Sequence, residues 1–155
     1  MLDYPKHFLI TSGSGTATSQ LVSFDNALIS AGISNYNLLR VSSILPIGCK
    51  QEKKIFEKEG SAILVAYASI SSDDTDTIIS SAIAVGIPKD PERVGVIMEY
   101  SGNCSASVAD DYVRKMTYEP MKNHGIDCLD IQSSSIDAIV NQNGYKSVIS
   151  AIVMW

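Results

Sequence analysis

The sequence predicts one α+β domain, with helices laid over the faces of β-sheet. Short apolar runs bounded by turn residues recur from Phe8 to Met154, and only two stretches carry helical periodicity. A chain of 155 residues, 45% hydrophobic and 19% charged, has enough apolar material for one hydrophobic core spanning 1–155.

Phe8-Leu9-Ile10-Thr11 reads as a strand, and Ser12-Gly13-Ser14-Gly15 after it as a tight glycine turn. Residues 20–31 read as a helix with Leu21, Phe24, Leu28 and Ile29 on one side, and Gly32 as its stop signal. Residues 35–41 form a second strand, ending at Ser42-Ser43-Ile44-Leu45-Pro46, and Ile47-Gly48-Cys49 turns the chain outward. The charged run 50–54 is a solvated loop or helix face, whereas 62–67 is the near-continuous apolar run of a strand covered on both faces. Asp73-Asp74-Thr75-Asp76 is a turn, and 78–87, apolar and rich in small residues, is read as a strand. Another strand follows at 95–100. Residues 105–124 carry the clearest helix signal, with Val108, Tyr112, Val113 and Met116 at helical spacing and Gly125 at its end. Pro120 should kink or shorten that helix. Residues 128–131 and 148–154 close the fold as strands.

The net charge of −5 argues against nucleic acid and anionic membranes as partners, since both need a basic face. A mildly acidic chain suits a cationic small molecule. The opening Met1-Leu2-Asp3-Tyr4-Pro5-Lys6 lacks signal-peptide character, and no apolar stretch approaches ~18 residues, the length of a membrane span. Cys49, Cys104 and Cys128 are odd in number and widely spaced, which fits reduced thiols and a cytoplasmic setting. With His7 and His124 as the only histidines, no metal site and no Ser–His–Asp triad is expected.

Four places carry possible chemistry. The Ser42–Ser43 pair sits in an apolar frame, where a constrained peptide would bring the Ser43 hydroxyl onto the Ser42 carbonyl; a bare Ser-Ser pair is otherwise an ordinary strand end. Glu99 ends an apolar strand, where burial would raise its pKa and keep a proton available; the plainer reading is an exposed strand-end carboxylate. Asp25 with Asn26 is either a solvated helix face or a carboxylate for a cationic ligand. Gly13-Ser14-Gly15 lacks the P-loop lysine, which weakens a phosphate-binding reading.

Taken together, Ser12-Gly13-Ser14-Gly15, Ser23-Phe24-Asp25-Asn26-Ala27-Leu28, the run 35–46, the run 82–90 and Gly95-Val96-Ile97-Met98-Glu99-Tyr100-Ser101-Gly102 resemble the pyruvoyl-dependent arginine decarboxylase family. They occur in the family's order across most of the chain. The resemblance implies a four-layer α-β-β-α sandwich, assembled as a trimer with active sites between neighbouring subunits. It also implies self-cleavage into a β chain of residues 1–42 and an α chain of 43–155. The Ser43 hydroxyl attacks the Ser42 carbonyl and turns the amide into an ester. Elimination across the Cα–Cβ bond of residue 43 frees the β chain and leaves dehydroalanine. Tautomerisation, then hydrolysis with loss of ammonia, leaves a pyruvoyl group. That covalent cofactor would serve the decarboxylation of L-arginine to agmatine and carbon dioxide, a reaction used in polyamine synthesis and in acid resistance. By resemblance Glu99 is the acid that protonates the substrate carbon, Asn37 supports the oxyanion near the cleavage site, and Asp25 binds the guanidinium. Cys49 after Gly48, where a small residue such as Ala is expected, and Pro120 depart from the pattern. The alternatives are the same chemistry on another amino acid, an uncleaved non-catalytic paralogue, and a phosphate-ligand module using Gly13 to Gly15.

Overall fold

The computed structural model describes residues 4–141 and 143–155. Strand β1 (His7–Ala17) is followed by helix α1 (Gln20–Ala31), β2 (Asn37–Arg40), β3 (Ile44–Leu45), β4 (Lys50–Gln51), β5 (Ala62–Ser72), β6 (Ile78–Pro88), β7 (Gly95–Gly102), α2 (Ala106–Asn123), β8 (Cys128–Ile139) and β9 (Tyr145–Met154). They form two sheets, of order β2-β5-β9-β1-β4 and β3-β7-β6-β8. The sheets stack face to face, with α1 on the outer face of the first and α2 on the outer face of the second. The α-β-β-α sandwich implied by the resemblance is the observed architecture.

Side-chain alternation along the strands builds three apolar layers. In β5, Ile63 and Val65 pack beneath α1 while Ala66 joins Phe8, Ile83, Ile97 and Ile152 between the sheets. In β6, Ala82 and Ala84 lie beneath α2. Both faces of these strands are buried, which is why they read as continuous apolar runs. Hydroxyls satisfy one another where polar atoms enter the middle layer. Ser12 Oγ lies 2.6 Å from Ser134 Oγ and 2.8 Å from Ser150 Oγ, and Ser150 reaches Ser81.

Helix α1 ends where Gly32 predicts, and it begins at a capping serine. The Ser19 hydroxyl accepts from the Val22 N–H, and Gly32 stops the helix in the left-handed region at φ 76°. Its N–H donates to the Ile29 carbonyl, and the Ile33 N–H to that of Leu28.

The structure corrects three local expectations. Residues 12–15 are not a turn, since β1 runs through them in register with β9. Gly13 and Gly15 face α1, where a Cβ on Gly13 would stand 2.4 Å from the Ala27 carbonyl oxygen and one on Gly15 2.3 Å from that of Ser23. Glycine is required there by the close approach of the helix, not by a bend, and the phosphate-binding reading goes with the turn. The charged run 50–54 begins with a two-residue strand, because Lys50 and Gln51 pair in parallel with His7 and Phe8 at the sheet edge. Pro120 does not end α2, which continues to Asn123. Thr117 and Met121 are buried on either side of it, and that packing offsets the missing backbone bond.

A methyl group at position 15 would meet helix backbone, which cannot rotate away. Gly15→Ala is therefore expected to cost about 1–3 kcal/mol by overpacking. A thermal melt should show Tm lower by roughly 3–10 °C. A Tm within one degree of the unchanged protein would mean that α1 can retreat from the sheet without loss.

Candidate active site

The segment carrying Ser42 and Ser43 crosses from one sheet to the other. On its upstream side, β2 is the edge of the first sheet and the Val41 N–H donates to the Val65 carbonyl at 2.9 Å. On its downstream side, β3 is the edge of the second sheet and the Ser43 carbonyl accepts from the Ile97 N–H at 2.8 Å. A single residue, Ser42, separates an anchor in each layer. Ser42 is exposed and Ser43 half-buried. The constraint comes from these two anchors, since neither residue has a positive φ or a cis bond. Among the described residues, the Ser43 hydroxyl and the Ser42 carbonyl have no hydrogen-bond partner. A serine at position 43, with its main chain held and its side chain unengaged, fits the source of a pyruvoyl group.

Glu99 reaches the same place from β7. It lies two residues beyond Ile97, on the face that Ile97 turns toward the other sheet, opposite Ile83 of β6. Its side chain is 35% exposed, and Oε1 accepts from Arg40 Nη2 at 3.2 Å. Of the two readings of Glu99, the structure favours the plainer one: it sits part-exposed at the rim of its strand, paired with a cation from the facing sheet. Arg40 is held on its other side by β5. Its guanidinium lies 4.5 Å from the centroid of the Tyr67 ring and donates to the Tyr67 carbonyl at 3.4 Å. The Tyr67 ring in turn lies 6.2 Å from that of Phe24 on α1.

The sequence does not single out Arg40. Its one signal is a lone cation in the apolar frame Leu38-Leu39-Arg40-Val41 just ahead of the serine pair.

Asn37 and Asp25 lie elsewhere on the chain. Asn37 opens β2, its amide donating to the Gly60 carbonyl at 2.7 Å and its N–H to that of Ser61 at 2.9 Å. Three residues of extended strand, about 10 Å, separate it from Arg40. Asp25 is exposed on α1, and its carboxylate makes no hydrogen bond or ion pair among the described residues. Its neighbour Asn26 instead ties the helix to β1 by donating to the Thr16 carbonyl at 2.9 Å. One chain therefore gathers Ser42, Ser43, Arg40 and Glu99, and leaves Asn37 and Asp25 outside that group.

Among the described residues, no grouping of three or more His, Cys, Asp or Glu side chains could hold a metal, and no helix is long and apolar enough to cross a membrane. The cysteines are unpaired. Cys49 donates to the Pro5 carbonyl, and burial pushes its thiol up to about 11, which keeps it protonated and unreactive near neutral pH.

A family model described as pyruvoyl-dependent arginine decarboxylase matches residues 7–155. The chain is 35% identical over 151 residues to the pyruvoyl-dependent arginine decarboxylase of Methanocaldococcus jannaschii, a match covering 97% of this chain and 90% of that one. It is 34% identical over 152 residues to the pyruvoyl-dependent arginine decarboxylase of Thermococcus kodakarensis, covering 97% and 96%. The protein of the same description from Pyrococcus horikoshii is 32% identical over 153 residues, covering 97% and 96%. Similarity of this extent runs through both sheets and both helices, and with them through the crossing that carries Ser42 and Ser43; the chain belongs to the pyruvoyl-dependent arginine decarboxylase family.

Proposed function

We propose that this chain cuts itself between Ser42 and Ser43 and, with the pyruvoyl group made from Ser43, decarboxylates L-arginine to agmatine and carbon dioxide. The observation that carries this reading is the sheet-to-sheet crossing, which pins both sides of the serine pair and leaves its hydroxyl and carbonyl unengaged, with Glu99 reaching Arg40 just upstream. The substrate is supported by relatives described as arginine decarboxylases.

When present, a pyruvoyl ketone condenses with a substrate amine and takes up the electrons released as carbon dioxide leaves. The rest of the task falls to side chains. Glu99 delivers a proton to the substrate carbon from the rim of β7. Asp25 pairs with the substrate guanidinium, and Asn37 supports an oxyanion near residue 43. Both lie outside the group formed within one chain, which suits a homotrimer whose sites are completed by a neighbouring subunit. Leu21, Val22 and Ile29 on α1 and Leu39 on β2 are 40–78% exposed, and this apolar surface suits burial between subunits. A cytoplasmic location fits the unpaired cysteines.

Two measurements on one purified sample test the reading. Denaturing mass analysis should resolve two species split after Ser42, the larger one blocked to N-terminal sequencing. Turnover of arginine, histidine, aspartate and lysine should give carbon dioxide from arginine first. One species at 16.7 kDa would refute self-cleavage, and strong histidine or aspartate turnover without arginine turnover would refute the substrate.

A further inference from the structure

We propose that Arg40 is a positioning residue whose ion pair with Glu99 ties the two sheets together at the site once the Ser42–Ser43 bond is cut. The inference rests on the self-cleavage proposed above.

Before cleavage the covalent chain itself joins β2 to β3, with Val41 bonded to β5 and Ser43 bonded to β7. Cleavage removes that link. Strand β2, a short edge strand that pairs only with β5, is then left with a free chain end two residues beyond Arg40. A four-residue edge strand with a loose end is the kind of segment that frays.

Arg40 is placed to prevent this. Its guanidinium reaches Glu99 on β7 at 3.2 Å while its other contacts, the Tyr67 ring at 4.5 Å and the Tyr67 carbonyl at 3.4 Å, are on β5. One side chain thus grips both sheets beside the cut. The other ion pair among the described residues, His7–Glu52, joins β1 to the chain just after β4 and does not bridge the two sheets. Holding the end of β2 also fixes the Glu99 side chain at the rim of the crossing. Cleavage leaves a new carboxylate on Ser42, which is the one competitor for Arg40 that the cut itself creates.

The test is hydrogen exchange, followed by mass, of the segment 38–42 that contains the Val41 amide. It is read in the self-cleaved protein and in the uncleavable Ser43→Ala chain. In the cleaved protein, Arg40→Met should speed exchange of this segment by about tenfold, the size expected for losing an exposed ion pair and a cation–π contact together. In the Ser43→Ala background the same substitution should change it by less than about twofold, because the peptide bond still joins the sheets. A merely structural role for Arg40 would move both backgrounds alike. Glu99→Ala should reproduce the effect in the cleaved protein, and Arg40→Lys, which keeps the charge but loses the planar fork, should recover part of the protection. Should Arg40→Met fail to fold or to cleave, those two variants carry the comparison.

Equal exchange in cleaved Arg40→Met and cleaved unchanged protein would overturn the inference. So would fast exchange in Arg40→Met with none in Glu99→Ala, which would assign the tie to the Ser42 carboxylate. A chain that never cleaves would remove the cut end and both readings with it, whereas a cleaved chain with unaltered exchange would remove only this one.

Discussion

Replacing Ser43 with alanine is expected to leave a single 16.7 kDa chain that does not decarboxylate arginine. Alanine lacks the oxygen that would attack the Ser42 carbonyl in the proposed cleavage, so no ester should form. It also lacks a leaving group on Cβ, so no dehydroalanine and no ketone can arise. The loss of turnover should be complete to the background of the assay, since the cofactor is never made. The fold should be untouched, because residue 43 is anchored through its main-chain carbonyl to Ile97 and its hydroxyl bonds nothing. Far-ultraviolet circular dichroism and Tm close to those of the unchanged protein, together with a single mass, are the expected result. Ser43→Cys keeps a nucleophile and a leaving group and should recover some cleavage. Two species from Ser43→Ala would place the cut elsewhere.

Glu99→Gln should separate the two chemical stages. Self-cleavage needs the Ser43 hydroxyl and the Ser42 carbonyl, neither of which is bonded to Glu99, so two chains should still form. Turnover would then lack the proposed proton donor. A positioned acid contributes about 10²–10⁴-fold, and kcat should fall by that amount while KM changes little. Glutamine keeps the volume of the side chain and an oxygen able to accept from Arg40, so a loss of activity cannot be put down to a hole in the rim. Single-turnover release of carbon dioxide set against formation of agmatine would locate the block after carbon dioxide leaves. A kcat within threefold of the unchanged protein would remove Glu99 from the role of acid.

Much of the fold is legible because it depends on neighbours in sequence. Helix α1 is bounded by Ser19 and Gly32, whose side chain and left-handed backbone act within one turn. Strands β5, β6 and β9 read as apolar runs because both of their faces are covered. Ser42, Ser43 and Glu99 stand out through the company of matching segments, not through local chemistry.

Other features exist only once distant segments meet. Gly13 and Gly15 look like a turn until α1 is laid on β1, and then they are the two positions where a Cβ would strike helix backbone. Pro120 looks like a break until the burial of Thr117 and Met121 against the second sheet outweighs it. Arg40 looks like one more strand residue until the stacking of the sheets brings it to Glu99, 59 positions away. The same stacking sets Asn37 and Asp25 apart from Ser43, because an extended strand and a helix on the outer face carry them away from the crossing. The sequence by itself determined most of the strands, both helices and the serine pair proposed as the cleavage site, since periodicity, caps and motifs are properties of neighbouring residues. Only the tertiary structure decided which side chains face one another beside the serine pair, because a contact between two sheets is a property of their packing and leaves no pattern along either strand.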